Sequence, residues 1–283
     1  MSDLRSSVLV TAAELAGELA AATAGSKSLI LLDVSDDLET APLERPVIPG
    51  AIAVSLAADI SGPATKDGGR RPLPDPAALQ ETLRRWGINA DSRVAVYDNA
   101  SGAQAGRAWW TLRWAGHQNT RLLDGGLAAW IAAGNDTADQ PVHPAGGGSF
   151  TVTPGGMPVI DADAAAEIAR NGALLDARGK TAYEGDPNKP ATGHIPGAIC
   201  AGAKDALGPD GCFKSNEDLH AMYAVIGADG AQPVGVYCGS GNAAAFELAG
   251  MYAAGIEAPL YVGSWSAWSA DPERPVAQGP ERG

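Results

Sequence analysis

The sequence is poor in cysteine, in basic residues and in long apolar segments. Its 283 residues include three cysteines, Cys200, Cys212 and Cys238, which are too few for a disulfide framework and show no zinc-site spacing. No run of about 18 apolar residues is present, and no apolar segment of signal-peptide length follows the first seven residues. We therefore expect a cytoplasmic protein with no membrane span and no metal centre.

Acidic residues outnumber basic ones. The chain has 33 Asp and Glu against 20 Lys and Arg, a formal net charge of −13. A negative surface repels nucleic acid and anionic lipid, so neither is expected as a partner. An anionic substrate must therefore be attracted by a local positive field. With 45% hydrophobic residues, the chain can bury one large or two medium cores.

The two halves of the chain repeat one another. Four segments of the first half recur in the same order in the second, at offsets of 138 to 147 residues: 31–34 with 174–177, 48–52 with 195–199, 94–98 with 234–238, and 125–130 with 263–268. This order indicates a tandem duplication. The Gly- and Pro-containing residues 143–157 are predicted to link a domain at 1–142 to a second at 158–283.

Within each half, short apolar runs alternate with amphipathic segments. Capping patterns, Thr11 with Glu14 and Ser215 with Asp218, predict helix starts. The alternation predicts two α/β domains, each with a mainly parallel sheet flanked by helices. The predicted buried strands are 29–32, 94–97 and 122–123 in the first half, and 174–175, 234–237 and 260–262 in the second.

The residues that follow two of these strands differ between the copies. Ligands bind beyond the carboxyl ends of parallel strands, where the first copy has Asp98 and the second has Cys238. A cysteine in a Gly-rich turn before a helix faces free backbone N–H groups, which with the helix dipole stabilise a thiolate or persulfide. Cys238 is alternatively an ordinary buried residue, but Gly239 and Gly241 favour a functional loop. Cys200 is interpreted as a packing residue.

Residues 238–243, Cys-Gly-Ser-Gly-Asn-Ala, are similar to the Cys-Gly-Ser-Gly-Val-Thr loop of 3-mercaptopyruvate sulfurtransferases. Over essentially its whole length the chain resembles the two-domain rhodanese-type sulfurtransferases. Further landmarks of that family are His-Ile-Pro-Gly-Ala at 194–198 and Arg-Ala-Trp-Trp at 107–110. The resemblance implies two tandem rhodanese-like domains, of which the first is inactive, with Asp98 in place of cysteine, and the second is catalytic.

The resemblance also implies a reaction. Cys238 takes sulfane sulfur from a small anionic donor and passes it to cyanide, a small thiol or a thioredoxin-like protein, with no metal or organic cofactor. No basic pair follows the cysteine, which favours 3-mercaptopyruvate over thiosulfate as donor. The residues expected to hold the persulfide and the substrate are Gly239, Ser240, Gly241, Asn242 and Ala243, with Ser240 hydrogen-bonded to the donor.

The sequence departs from the family pattern where the donor should bind. Ala182 stands where mercaptopyruvate enzymes have an arginine, and Val47 stands where many members have a histidine. Lys189 is a candidate replacement cation, although an ammonium lacks the bidentate fork of a guanidinium. Arg178 is a second candidate for substrate binding, but an arginine at a strand end more often pairs with a nearby carboxylate.

Two other function classes compete with sulfur transfer. A cysteine-based phosphatase on a related fold needs an arginine six residues after the cysteine, and position 244 is alanine, which argues against it. A non-enzymatic sulfur-relay or binding module is the other alternative, because the donor-binding arginine is missing. The sequence alone does not separate this module from an enzyme, or one donor from the other.

Overall fold

The computed structural model describes residues 4–23, 29–36, 45–189 and 191–283. Two five-stranded sheets are present, and every strand pairing in both of them is parallel. The first has the order β1-β5-β4-β2-β3 and consists of β1 (Leu9–Val10), β2 (Leu29–Ser35), β3 (Ala51–Ser55), β4 (Arg93–Tyr97) and β5 (Thr120–Leu123). The second has the corresponding order β6-β10-β9-β7-β8 and consists of β6 (Val159–Ile160), β7 (Ala173–Asp176), β8 (Ile199–Cys200), β9 (Val234–Tyr237) and β10 (Leu260–Tyr261).

Helices cover both sheets. In the first half these are α1 (Leu4–Val8), α2 (Ala12–Thr23), α3 (Leu56–Asp59), α4 (Pro76–Arg85), α5 (Ala103–Trp114) and α6 (Gly126–Ala132). In the second half they are α7 (Ala162–Asn171), α8 (Lys180–Glu184), α9 (Asn216–Val225), α10 (Asn242–Ala253) and α11 (Ser264–Trp268). Among the helices of the described residues, none is both long enough and apolar enough to cross a membrane.

The predicted fold class of two tandem α/β domains with parallel sheets is confirmed. The central strands were predictable because their residues are almost all buried, which produces continuous apolar runs. The strands β1, β3, β6 and β8, which form the edges of the two sheets, were not predicted. The predicted cap at Ser215 is present: its Oγ accepts a hydrogen bond from the Asp218 N–H at 3.1 Å.

The two halves meet along α5 and α10. Both helices bury nine of their twelve residues, because each lies between its own sheet and the other helix. Gly106 permits the close approach: a methyl group there would lie 2.5 Å from the Cα atom of Phe246. One hydrophobic core runs through this contact and includes Trp109 and Trp110 from the first half with Leu248 and Met251 from the second.

The segment between the two sheets packs on the first half. The N–H groups of Gly148 and Phe150 donate to the carbonyls of Arg84 and Ile88, both at 3.0 Å. The first helix also crosses toward the second half: Arg5 donates to the carbonyl of Phe213 at 2.9 Å and pairs with Asp124 at 2.9 Å. The contacts of Arg5, together with the packing of α5 on α10, therefore join the two halves.

Candidate active site

Cys238 lies in a turn between β9 and α10, where the sequence predicted a reactive loop. Its residue is 2% exposed, and its Sγ accepts a hydrogen bond from the Gly241 N–H at 3.1 Å. Gly241 caps α10 with φ +84°, a left-handed conformation that side chains other than glycine rarely adopt. The sulfur therefore sits at the positive end of a 12-residue helix, where backbone N–H groups stabilise negative charge.

The turn before α11 holds the loop in place. The Cys238 N–H donates to Ser264 Oγ at 3.2 Å, and the Cys238 carbonyl accepts from the Trp265 N–H at 2.9 Å. The Gly239 carbonyl accepts from the Ser266 N–H at 3.0 Å. Ser264 has φ +52°, the one positive φ outside glycine in the described part of the chain. Such strain persists where neighbouring contacts fix the backbone, and it commonly marks a functional site.

A buried arginine of the first half lies directly against this loop. Arg107 of α5 is fully buried, and its Nη2 donates to the carbonyl of Arg71 at 2.9 Å. Its Nε and Nη1 have no hydrogen-bond partner. A methyl group at Gly241 would lie 2.5 Å from Nη1. Burial lowers the pKa of Arg107 from 12.5 to about 10, while a thiolate at Cys238 raises it, so the guanidinium is charged at neutral pH.

A second arginine of the first half lies at the outer side of the loop. A methyl group at Gly239 would lie 3.4 Å from Nη2 of Arg70. The Arg70 side chain is exposed, whereas its backbone N–H donates to Ser266 Oγ at 3.0 Å. Gly69 allows this docking, because a methyl group there would lie 2.5 Å from the Gly263 carbonyl oxygen. From the sequence, Arg70 is interpreted as part of a solvated polar loop, with the guiding of anions as the alternative, because nothing in its own segment points to residue 239.

A cavity of about 710 Å³ opens beside the other end of the loop, at Ala243. Residues of both halves line it, among them Ser101 from the first and Lys180, Cys200 and Lys204 from the second. Asn242 and Ala243 are partly exposed, as are Gly239 and Ser240, so the loop is accessible although the sulfur itself is buried.

Arg178 lines this cavity, but its guanidinium is bound to other groups. Its Nε lies 2.8 Å from Oδ1 of Asp176 and its Nη2 lies 2.5 Å from Oδ2, and Nη2 also donates to the Gly193 carbonyl at 2.7 Å. The guanidinium carbon lies 4.7 Å from the centre of the Trp265 ring. This is the pairing with a neighbouring carboxylate that the sequence analysis considered more common.

Lys189 lies elsewhere on the surface. Its side chain is 71% exposed, and its Nζ lies 3.5 Å from Oδ2 of Asp186. Its carbonyl accepts hydrogen bonds from the Thr192 and Gln278 side chains. Among the described residues, the lysines that line the cavity beside the loop are Lys180 and Lys204.

In the first half the corresponding loop is filled by a carboxylate. Oδ1 of Asp98 accepts hydrogen bonds from the N–H groups of Ala100 and Gly102, at 2.9 and 3.0 Å. Oδ2 accepts from the Ala105 N–H at 3.0 Å. Gly102 has φ +82°, nearly the value at Gly241. The first copy therefore keeps the backbone of the loop and occupies its N–H groups with its own side chain.

The other two cysteines lie in different surroundings. Cys200 is exposed rather than packed, so its interpretation as a packing residue is wrong. In the two-residue strand β8 the side chains alternate, and Ile199 takes the buried side. Burial raises the pKa of Cys212 to about 11, and burial together with Asp176 raises the pKa of Cys200. Both thiols thus carry little of the reactive thiolate at neutral pH.

Comparison with known proteins relates the whole chain to one family. The model of the rhodanese-like domain matches residues 13–133 and 161–271. A protein of Pseudomonas aeruginosa named "Probable 3-mercaptopyruvate sulfurtransferase" is 42% identical over 291 residues, which cover 98% of this chain and 100% of that protein. A thiosulfate sulfurtransferase of Corynebacterium glutamicum is 31% identical over 256 residues, 82% of this chain and 80% of that protein.

Solved structures share the fold at lower identity. The structure of YnjE superposes with a TM-score of 0.80 at 24% identity, over 97% of this chain and 69% of that one. The anaerobic ergothioneine biosynthesis enzyme of Chlorobium limicola, solved with trimethyl histidine, gives a TM-score of 0.79 at 21% identity, over 96% of this chain and 70% of that one. At these identities the likeness extends to the fold alone.

Proposed function

The chain belongs to the rhodanese-like domain family, with two such domains in tandem, and from this we propose that it is a sulfurtransferase carrying sulfane sulfur as a persulfide on Cys238. The observation that carries the proposal is the hydrogen bond from the Gly241 N–H to Cys238 Sγ at the start of α10. Residues 158–283 would form the catalytic domain, residues 1–142 a domain without a nucleophile, and residues 143–157 their connection. The three free cysteines fit a reducing compartment such as the cytoplasm.

The first half-reaction forms the persulfide. The Cys238 thiolate attacks the transferable sulfur of the donor, which is the thiol sulfur of 3-mercaptopyruvate or the outer sulfur of thiosulfate, and an S–S bond forms on the protein. With 3-mercaptopyruvate the donor C–S bond breaks, and the carbon takes the thiol proton to give pyruvate. With thiosulfate the donor S–S bond breaks and sulfite leaves. In both cases one negative charge moves to the outer sulfur of Cys238, where the N–H groups of residues 239–243 can stabilise it.

The second half-reaction returns the thiolate. An acceptor nucleophile attacks the outer sulfur, the S–S bond breaks, and the electron pair returns to Cys238. Cyanide then gives thiocyanate, and a small thiol or a reduced thioredoxin-like protein gives a persulfide. Because the donor product leaves before the acceptor reacts, the scheme is ping-pong.

We propose 3-mercaptopyruvate as the better donor. The loop carries no side-chain cation directly after Cys238, and Ser240, which is partly exposed, can donate a hydrogen bond to the donor carbonyl. This bond would strengthen as the leaving group gains charge, so it would act on the transition state. The absent family arginine at Ala182 would weaken binding of the whole donor and raise KM.

Intact-mass measurement after donor treatment tests the nucleophile. We expect one added sulfur atom on the wild-type chain and on the C200S/C212S double variant, and none on C238S. A sulfur adduct that persists on C238S would overturn the assignment. Absence of an adduct on the wild type with either donor, in a folded protein, would favour the binding module instead.

Steady-state kinetics with cyanide as acceptor tests the donor. We expect a higher kcat/KM for 3-mercaptopyruvate than for thiosulfate, together with a high KM. The opposite order would show that this chain is primarily a thiosulfate sulfurtransferase and would contradict the argument from the loop.

A further inference from the structure

We propose that Arg107 of the first domain is a positioning residue for sulfur transfer, which supplies across the domain interface the positive charge that balances the thiolate and persulfide of Cys238. The inference rests on the proposed function for the identity of the charged sulfur. It makes the first domain, which has no nucleophile of its own, a necessary part of the site.

The guanidinium of Arg107 lies against the backbone of the loop. Arg107 approaches the loop at Gly241, the residue whose N–H donates to Cys238 Sγ. A methyl group at Gly241 would lie 2.5 Å from Nη1 of Arg107 and 3.0 Å from the carbonyl oxygen of Val262. The absence of a side chain at residue 241 thus does two things: it permits the left-handed turn, and it lets the guanidinium pack against the backbone of the loop.

The two domains carry different side chains at equivalent positions of α5 and α10. α5 and α10 both follow a left-handed glycine, Gly102 and Gly241, and Arg107 and Phe246 are each the fifth residue of their helix. Each side chain reaches the glycine of the other domain: Arg107 contacts Gly241, and the Phe246 ring occupies the space where a methyl group at Gly102 would lie. Arg107 therefore faces the loop that carries Cys238, and Phe246 faces the loop whose N–H groups are hydrogen-bonded to Asp98.

The positive charge of Arg107 is buried without a carboxylate beside it among the described residues. A fully buried charge is costly unless it is paired. Arg107 forms no ion pair with a carboxylate in the described part of the structure, and its Nε and Nη1 lack hydrogen-bond partners. The charged groups that act on it are Cys238, which favours the cation, and Arg71, which opposes it. The thiolate of Cys238 is thus the counter-charge available to Arg107.

A purely structural role accounts for only part of this arrangement. Nη2 of Arg107 donates to the carbonyls of Arg71 at 2.9 Å and of Pro72 at 3.4 Å, and so helps to hold the loop that carries Arg70. A neutral donor would satisfy those carbonyls without placing a charge in the interior. The guanidinium carbon also lies 5.9 Å from the centre of the Trp110 ring, which favours a cation but gives Nε and Nη1 no hydrogen-bond acceptor. A negative group that forms on Cys238 would supply the missing counter-charge.

The test measures the pH dependence of Cys238 alkylation by iodoacetamide, which needs no sulfur donor. The variants are R107Q, R107M and R107K, measured in the C200S/C212S background. An opposite charge at close range shifts a titration by about 1–3 pH units. We expect the alkylation midpoint of R107Q and R107M to move upward by about one unit or more, and that of R107K to stay near the wild-type value. R107M leaves no unpaired polar atom and serves if R107Q does not fold.

The matched control is F246L, which perturbs the same interface from the pseudo-equivalent position. We expect it to lower Tm without moving the alkylation midpoint. In turnover, R107Q and R107M should lose kcat by roughly tenfold or more with a smaller change in KM, whereas R107K should recover part of kcat.

Wild-type midpoints in both neutral variants would overturn the role of Arg107. An upward shift in a protein that accepts sulfur from neither donor would support the pairing of the Arg107 charge with the Cys238 thiolate and contradict the proposed function instead.

Discussion

Asp98 and Cys238 occupy equivalent positions after the central strands of the two domains, and each places a negative or potentially negative group on the N–H groups of its own loop. In the first domain the Asp98 carboxylate accepts three backbone hydrogen bonds of 2.9 to 3.0 Å. In the second, Cys238 Sγ accepts one from Gly241 at 3.1 Å. The N–H groups of the same loop are therefore occupied by the Asp98 side chain in the first copy and are left for the sulfur of Cys238 in the second.

This relationship predicts that Asp98 contributes to stability and not to turnover. D98A leaves three buried N–H groups without their charged acceptor, which should cost about 2 kcal/mol or more and lower Tm. D98N keeps an acceptor oxygen and should cost less. Thermal unfolding measures the loss, and kcat measured per folded molecule should change little in both variants. A large loss of kcat in folded D98A would show that the first loop takes part in the reaction.

The position of Arg70 at the outer side of the loop predicts that Arg70, and not Lys189, contributes to donor binding. Arg70 lies beside Gly239, whereas Lys189 pairs with Asp186 on the surface. R70A should raise KM for both anionic donors by roughly tenfold with a smaller change in kcat, because a charged hydrogen bond contributes about 1.5–3 kcal/mol. The effect should diminish at high salt, since Arg70 is exposed.

K189A is the matched variant for this measurement. Lys189 is the candidate cation predicted from the sequence, whereas Arg70 is the cation that lies beside the loop, so K189A should leave KM nearly unchanged. If K189A raises KM and R70A does not, the assignment from the sequence is right and the one from the geometry is wrong.

The left-handed glycine of the loop gives a third prediction. G241A should reduce both stability and sulfur transfer for two reasons. The new methyl group would clash with Arg107 Nη1 and with the Val262 carbonyl oxygen, and alanine would have to adopt the positive φ of this position. Gly146 has φ +71° with nothing near its missing side chain, so G146A isolates the backbone strain, about 1 kcal/mol. We expect full activity for G146A and a loss of Tm in G241A that is clearly larger. Equal effects on Tm would mean that the close packing at Gly241 contributes nothing.

A buried acid near the site predicts a pH-dependent stability. Burial raises the pKa of Glu247 well above its ordinary value of 4.5, and Asp176 and Asp205 act in the same direction. The folded chain then retains this proton to a higher pH than the unfolded chain does. The group therefore favours folding most at low pH, and its contribution is lost as pH rises from about 4.5 toward the folded-state pKa.

E247Q removes this titration. Relative to wild type, E247Q should therefore become more stable between pH 5 and pH 8, which thermal unfolding shows as a rising difference in Tm. The corresponding difference in the free energy of unfolding should change by at most about 1.4 kcal/mol per pH unit. E217Q, at an exposed glutamate of α9, should show no such trend. A pH-independent difference for E247Q would show that Glu247 is ionised in the folded protein.

The sequence by itself determined the architecture and singled out the turn that carries Cys238. Continuous apolar runs predict the buried parallel strands, and capping pairs predict the helix starts. Glycines between a strand and a helix predict the Cys238 turn, so each feature depends on residues that are neighbours in the chain. Because the two halves repeat one another, their segments can be compared, and the comparison identifies the first half as the copy in which Asp98 replaces the cysteine.

The tertiary structure alone decided which cations lie against the loop that carries Cys238. Arg70 and Arg107 lie far from this loop along the chain and reach it, at Gly239 and Gly241, only because α5 packs against α10 and Gly69 docks on the turn at Gly263. Lys189, chosen from the sequence for its place near the missing arginine, is turned toward Asp186 instead. A hydrophobic pattern records which face of a helix is buried, but not which charged group of another domain that face will meet, because that depends on how two preformed surfaces fit together.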